Sequence, residues 1–224
     1  MKTISPETFE KLKQIDSCTV ANAIEKFGVR PDTWGYTGNE IKCLFPEMGV
    51  MLGYAATAVM GPREVGEKGW REGWLDYTQH IEDTPNPTVC VIEDSPIWPM
   101  QGALVGEVMA TCMKALGSVG CISNGALRDL EQVREMGFQY HGAGVIVSHG
   151  QLKFHSVGEP VRLGRLTVRP GDLLHADLHG IVVVPFEIAD DIPGEAQKIF
   201  DVEAEIMGLA KRPGFKAADL RQLY

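Results

Sequence analysis

The stretch Gln101–Leu130, QGALVGEVMATCMKALGSVGCISNGALRDL, constrains this chain most, because its apolar spacing changes character within a few turns. Leu104, Val108, Met109, Cys112, Met113 and Leu116 recur at helical spacing, which predicts an amphipathic helix over 103–115, buried along one side. Gly117 is placed to end it. Val119-Gly-Cys-Ile-Ser then reads as a short apolar strand and Asn124-Gly125 as a turn, and Asp129 opens a second helix through Gly137. This order of helix, strand, loop and helix brings the amide-rich mouth of the first helix near the loop that carries Arg128 and Asp129.

That layout suits a small anion and a metal ion. Gly102 and Gly106 let a ligand approach the backbone, and the free N–H groups of the first turn, over Gly106, Glu107, Val108 and Met109, attract negative charge. Arg128 offers a charged fork that matches a carboxylate or an enolate oxygen. Asp129 and Glu107 are hard oxygen ligands, suited to Mg²⁺ or Mn²⁺ held partly through water. Plainer readings stand beside these. Asp129 with Gln132 is a helix capping box, Glu107 a solvated helix residue and Arg128 a surface cation.

Gly106-Glu107, twenty intervening residues and then Arg128-Asp129 is a spacing that resembles the signature of the RraA-like family, which includes 4-hydroxy-4-methyl-2-oxoglutarate aldolases. Three further blocks resemble that family in the same order. They are Asp16-Ser-Cys-Thr-Val-Ala-Asn-Ala, Thr88-Val-Cys-Val-Ile-Glu-Asp and the run from Pro170-Gly-Asp to Val184-Pro185. The similarity covers roughly residues 15–210. It implies one α/β domain over 1–224 of the swivelling β/β/α type, with flanking N- and C-terminal helices. It also implies a homotrimer or homohexamer, and metal-dependent release of pyruvate. Relatives take a glutamate from a neighbouring subunit, and Glu203 or Glu205 stands at about that place. Glu107 departs from the aspartate that many relatives carry.

Composition sets the frame. A chain of 224 residues, 44% hydrophobic, has the make-up of a globular protein that buries a full core. Its net charge of −9 argues against a nucleic-acid surface. Met1-Lys-Thr-Ile-Ser-Pro-Glu lacks the apolar stretch of a signal peptide and no run is long enough to span a membrane, so the expected location is the cytoplasm. Cys18, Cys43, Cys90, Cys112 and Cys121 are odd in number and scattered, and read as reduced thiols.

Elsewhere, Ser5-Pro6 opens a helix to about Gln14, and Asp16 or Ser17 caps another ending near Gly28. Residues 30–49 read as loop, Val50–Met60 as a strand and Glu72–Ile81 as a helix on which Trp70 and Trp74 can pack together. Arg63 and Arg71 are available for a second substrate carboxylate, though surface arginines are commoner. Val89–Glu93 is a buried strand whose end places Glu93 and Asp94 as second-rank site candidates. Gly144–Ser148 reads as a strand, and Pro160–Val168 and Asp172–Pro185 as further strands. His175, Asp177 and His179 alternate, which makes them the rival metal location unless a turn breaks the alternation. His141, His149 and His155 carry no usable spacing. From Phe186 the chain reads as helical through Ala210, interrupted or restarted at Pro193.

The expected chemistry is cleavage of the C3–C4 bond of a 4-hydroxy-2-oxo acid, or decarboxylation of oxaloacetate, through a pyruvate enolate at a cation held by Asp129. Arg128 and Glu107 are the expected catalytic groups, with Glu203 from a neighbour. The alternative is a protein-binding regulator of a ribonuclease. A methyltransferase reading lacks any nucleotide-binding glycine motif.

Overall fold

A computed structural model describes residues 1–64, 67, 69–97 and 99–221. The Gly-rich run after β-strand Met51–Pro62 therefore lies partly outside the described residues. Ser5 Oγ accepts the Thr8 N–H at 3.0 Å and Pro6 is the first helical residue of α1, Pro6–Leu12. Asp16 accepts from the Thr19 N–H (3.0 Å) and hydroxyl (2.8 Å) and so starts α2, Ser17–Glu25.

The strands and helices that follow are β1 (Lys42–Cys43), β2 (Met51–Pro62), α3 (Trp70–Asp83), β3 (Thr88–Asp94), β4 (Ala103–Val105), α4 (Glu107–Ala115), β5 (Ser118–Ser123), β6 (Ala126–Leu127), α5 (Leu130–Glu135), β7 (Gln139–Gly142) and β8 (Gly144–Val145). The chain continues through β9 (Leu152–Val157), the hairpin β10 (Val161–Leu163) and β11 (Leu166–Val168), the hairpin β12 (Leu173–Asp177) and β13 (Gly180–Val184), α6 (Ile192–Ala210) and α7 (Ala217–Leu220).

One large mixed sheet has the order β1-β7-β5-β3-β2-β12-β13, and β9 joins the far half of β2. The strands β2, β3, β5 and β7 run parallel, whereas β12 and β9 meet β2 antiparallel. β2 is the spine of the sheet. Its residues Tyr54, Ala55 and Ala56 are all buried, because one face meets helices and the other meets the β10–β11 hairpin. Both faces being covered, the strand reads as a nearly continuous run of small and apolar residues. Around it Tyr77, Met113, Phe138 and Tyr140 form the core under α3, α4 and α5, and Leu12, Val20 and Ile192 the core under α1, α2 and α6.

The second sheet, in the order β4-β6-β8, is small and parallel, and it positions the site. Ala103 pairs with Ala126 and Val105 with Leu127, and the Arg128 N–H donates to the Val105 carbonyl at 3.1 Å. The helix expected over 103–115 therefore begins only at Glu107. Ala103-Leu104-Val105 is strand, since all three side chains are buried and the backbone bonds to β6 rather than to the next turn. Of the strand expected over 144–148, only Gly144–Val145 is paired. β9 lies where no element was expected.

Candidate active site

The parallel strands β4 and β6 end side by side, so the start of α4 and the residues Arg128 and Asp129 emerge together at their carboxyl ends, where sheet proteins place ligands. Gly106 is the N-cap of α4 and contributes no capping side chain. Asp129 supplies what is missing, because its Oδ2 accepts the Glu107 N–H at 2.8 Å. The same oxygen lies 3.5 Å from Arg128 Nε, and the two side chains are one-third exposed.

This use of Asp129 displaces the capping-box reading. Asp129 stands at the N-cap of α5 yet makes no side-chain cap there, and its backbone is left-handed, φ 59° and ψ 45°. Such a conformation costs a non-glycine residue about 1–3 kcal/mol and persists where surroundings enforce it, commonly at functional sites. The twist turns the carboxylate back toward α4 instead of forward along α5. Gly106 makes room for it: a Cβ there would lie 2.5 Å from Asp129 Oδ2 and 2.7 Å from Arg128 Nε.

A cleft of about 590 Å³ opens beside this pair. Gly106, Val108, Met109 and Arg128 line it, which brings together four of the expected substrate-binding residues. Glu107, exposed on the first turn, and Asp129 adjoin the cleft through Gly106 and Arg128 without lining it. Arg63 and Arg71 line the wall formed before and at the start of α3, together with Trp70. Arg63 Nη1 donates to the Glu67 carbonyl, while its Nε is buried and has no partner among the described residues.

His149 also lines the cleft, with Nδ1 2.7 Å from the Gly150 carbonyl oxygen. No spacing in the sequence marks it. The loop that carries it is pressed onto Gly102, where a Cβ would come within 2.6 Å of the His149 backbone.

Other candidates have structural uses. Glu93 Oε2 accepts the Arg162 N–H at 2.6 Å and ties β3 to β10. Asp94 is buried and Oδ2 accepts the Met100 N–H at 2.7 Å, which holds the loop after β3; burial pushes its carboxyl up, partly opposed by that bond. The rival metal triad is not assembled. His175 is fully buried with Nε2 against the carbonyls of Ile15 (2.9 Å) and Leu12 (3.2 Å). Asp177 takes the Ser17 hydroxyl (2.6 Å), the Ser17 N–H (2.8 Å) and the His179 N–H (2.8 Å), and His179 falls in the β12–β13 turn. Burial pushes the Asp177 carboxyl up, but these three donors outweigh it and hold the group below its ordinary range. Glu203 and Glu205 stand exposed on the outer half of α6 and do not line the cleft of their own chain.

A family model described as "Aldolase/RraA" matches residues 17–183. The chain belongs to the RraA-like family. Protein DlpA of Legionella pneumophila is 24% identical over 187 residues, which cover 80% of this chain and 28% of that protein. A Halalkalibacterium halodurans protein provisionally named 4-hydroxy-4-methyl-2-oxoglutarate aldolase is 27% identical over 97 residues, 43% of this chain and 46% of that one. The chain thus matches less than half the length of either curated relative. A Streptomyces coelicolor protein described as an unusual member of the RNase ES inhibitor RraA protein family has the same fold, with a TM-score of 0.71 at 23% identity over 95% of this chain and 100% of that one. An uncharacterized Pseudomonas syringae protein aligns with a TM-score of 0.77 at 20% identity over 100% and 96%. The mixed α/β architecture with flanking helices is therefore the RraA-like fold. Among the described residues no helix is long and apolar enough to cross a membrane.

Proposed function

We propose that this RraA-like chain is a divalent-metal-dependent lyase that breaks the C3–C4 bond of a 4-hydroxy-2-oxo acid, or decarboxylates oxaloacetate, through a pyruvate enolate. The observation that carries this reading is the left-handed Asp129, whose carboxylate is turned away from its own helix toward the mouth of α4 beside Arg128. A cap on α5, the helix that Asp129 itself opens, needs no such backbone.

The donor set fits a hard, water-rich cation. Among the described residues no three His, Cys, Asp or Glu side chains gather as a metal cage, which does not suit a closed zinc site. Mg²⁺ or Mn²⁺ is held by one or two carboxylates plus water and substrate oxygens. Asp129 would supply one of them, with Glu107 following Gly106 at the start of α4 as the candidate for a second through water. A cation there would draw electron density from the 2-oxo group as the enolate forms.

The chain's own groups do the rest. The amides at the start of α4, over Val108 and Met109, receive the substrate carboxylate. Arg128 donates to the keto oxygen as negative charge develops on it. Glu107, beside the cleft, or the neighbour's glutamate would position a water that takes the proton of the C4 hydroxyl. Arg63 and Arg71 on the facing wall receive a second anionic group. Glu203, exposed on α6, serves the site of a neighbouring copy in a homotrimer or homohexamer.

The test is pyruvate release from oxaloacetate and from 4-hydroxy-2-oxo acids, with Mg²⁺ and with excess chelator. The expected result is release that chelator stops and Mg²⁺ restores. A folded protein that releases pyruvate from none of them overturns the reading. The second reading, a regulator that binds a ribonuclease, is supported by the likeness to the inhibitor-family protein from Streptomyces. Heat of binding of oxalate, an enolate mimic, in the presence of Mg²⁺ separates the two, because a pure binding protein has no use for it.

A further inference from the structure

The cleft is larger than the head of a 2-oxo acid requires. Its volume of about 590 Å³ lies within the range of about 300–1,000 Å³ that encloses drug-sized ligands. On the reading above, the carboxylate and keto group are held at the α4 and Arg128 side, which leaves the wall built by the start of α3.

The principal group on that wall is Trp70, 37% exposed and facing the cleft. Its indole stacks on Trp74, four residues on, with ring centroids 6.2 Å apart and planes 21° apart. Trp74 in turn packs against Phe154 (6.2 Å) and Tyr77 (6.5 Å). Tyr77 is fully buried and donates its hydroxyl to the Ala56 carbonyl at 2.9 Å. Trp70 is therefore the exposed end of an aromatic column rooted on β2. A ring braced in this way offers its face to a ligand without losing rotamer freedom on binding. Around it Met60, Leu104 and Leu152 add apolar wall, and the guanidinium groups of Arg63 and Arg71 supply planar cations that also favour aromatic neighbours.

We propose that Trp70 is the platform for a planar aryl substituent on C4 of the substrate, so that the substrate class is 4-aryl-4-hydroxy-2-oxo acids. The proposal deepens the lyase reading and rests on it. In the step, the C4 hydroxyl gives its proton to the base and becomes the carbonyl of an aryl aldehyde. The C3–C4 bond breaks with its electron pair passing to the pyruvate enolate, and a proton returns to C3. Pyruvate and the aldehyde account for every atom of the substrate, and no oxidant or reductant is needed.

Binding tests the platform separately from turnover. The compound 2-oxo-4-phenylbutanoate has the ring on C4 but no hydroxyl, so it cannot be cleaved. Calorimetry with Mg²⁺ compares it with 2-oxopentanoate. Wild-type protein is expected to bind the aryl compound about tenfold more tightly, a gap of the size that one good aromatic contact gives. The gap closes in Trp70→Leu and is largely kept in Trp70→Phe. Equal affinities in wild type, or a gap unaltered in a folded Trp70→Leu, overturn the proposal, and the wild-type comparison holds even if the leucine variant does not fold. In turnover, the ratio of kcat/KM for 4-hydroxy-2-oxo-4-phenylbutanoate over 4-hydroxy-2-oxopentanoate falls about tenfold in Trp70→Leu. A wild-type preference for the methyl compound sinks the aryl platform alone. No pyruvate from either compound, with the aryl preference in binding intact, sinks the lyase reading alone.

Discussion

Asp129 Oδ2 accepts the backbone N–H of Glu107 at 2.8 Å, so a side chain from the loop after β6 closes the mouth of α4. The two roles of Asp129, acceptor and charge, separate on substitution. Asp129→Asn keeps an oxygen for the Glu107 amide and is expected to leave thermal stability nearly unchanged. Asp129→Ala loses the cap and costs about 1 kcal/mol, as N-cap losses typically do. Both variants lose Mg²⁺-dependent binding of oxalate in calorimetry. Retention of that binding in Asp129→Ala would show that the carboxylate holds no cation.

Gly106 tests the geometry from the other side. Its backbone, φ −131° and ψ −171°, is open to any residue, so alanine there meets a steric obstacle rather than a conformational one. The added methyl would push on Asp129 Oδ2 and Arg128 Nε, both under 3 Å away. Displacements of about 1 Å at a reacting centre cost roughly a hundredfold in rate. Gly106→Ala should therefore lose about that much kcat/KM in the pyruvate-release assay while keeping its melting temperature within a few degrees.

Arg128 is one-third exposed and its side chain pairs with Asp129 at 3.5 Å. Its removal should act on chemistry. Arg128→Ala is expected to lower kcat by about a thousandfold, the scale reported for loss of a donor to a developing oxyanion. Arg128→Lys should recover little, since a point charge does not reproduce the planar fork. A fully active alanine variant would remove this site from consideration.

Acid stability reports on a different region. His141 and His175 are fully buried, each Nε2 faces a carbonyl and each Nδ1 has no partner among the described residues. Burial pushes both imidazoles below their ordinary value, against opposing hydrogen bonds and the nearby Asp177 charge. A folded-state value below the unfolded one means that the unfolded chain takes up protons first as pH falls. Stability is thus complete above about pH 6.5 and declines below it, by up to about 1.4 kcal/mol per pH unit for each histidine. Urea unfolding at pH 7.5 and 5.5 checks this, and equal midpoints with equal slopes would contradict it.

Much of the architecture was legible in the sequence because the elements that matter obey one period each. The apolar spacing through Leu116 marks α4, the helix read over Glu72–Ile81 falls inside α3, which starts two residues earlier at Trp70, and the strand read over Val89–Glu93 falls inside β3. What escaped were pieces too short to show a period. Ala103-Leu104-Val105 continues the helix pattern by accident of order, and only its pairing with Ala126 and Leu127 makes it a strand. At the candidate site, the pairing of Arg128 with Asp129 beside the start of α4 was readable. The left-handed turn that aims Asp129 backward was hidden by Gln132, which completes a capping pattern the backbone does not use. His149 was unreadable because a loop folded onto Gly102 carries it to the cleft.

The polar knot around Asp177 ties the two ends of the chain together. The Ser17 groups and the Leu12 and Ile15 carbonyls meet their partners on β12, some 160 positions later. On a ribosome, α1 and α2 would therefore emerge some 160 residues before the strand that satisfies them, and would wait in solvent until β12 follows. Synthesis of β12 is the moment at which these two helices gain their polar partners. A nascent chain stopped before β12 should leave its first helices open to a protease, whereas one that has carried β12, β13 and α6 clear of the ribosome should shield them.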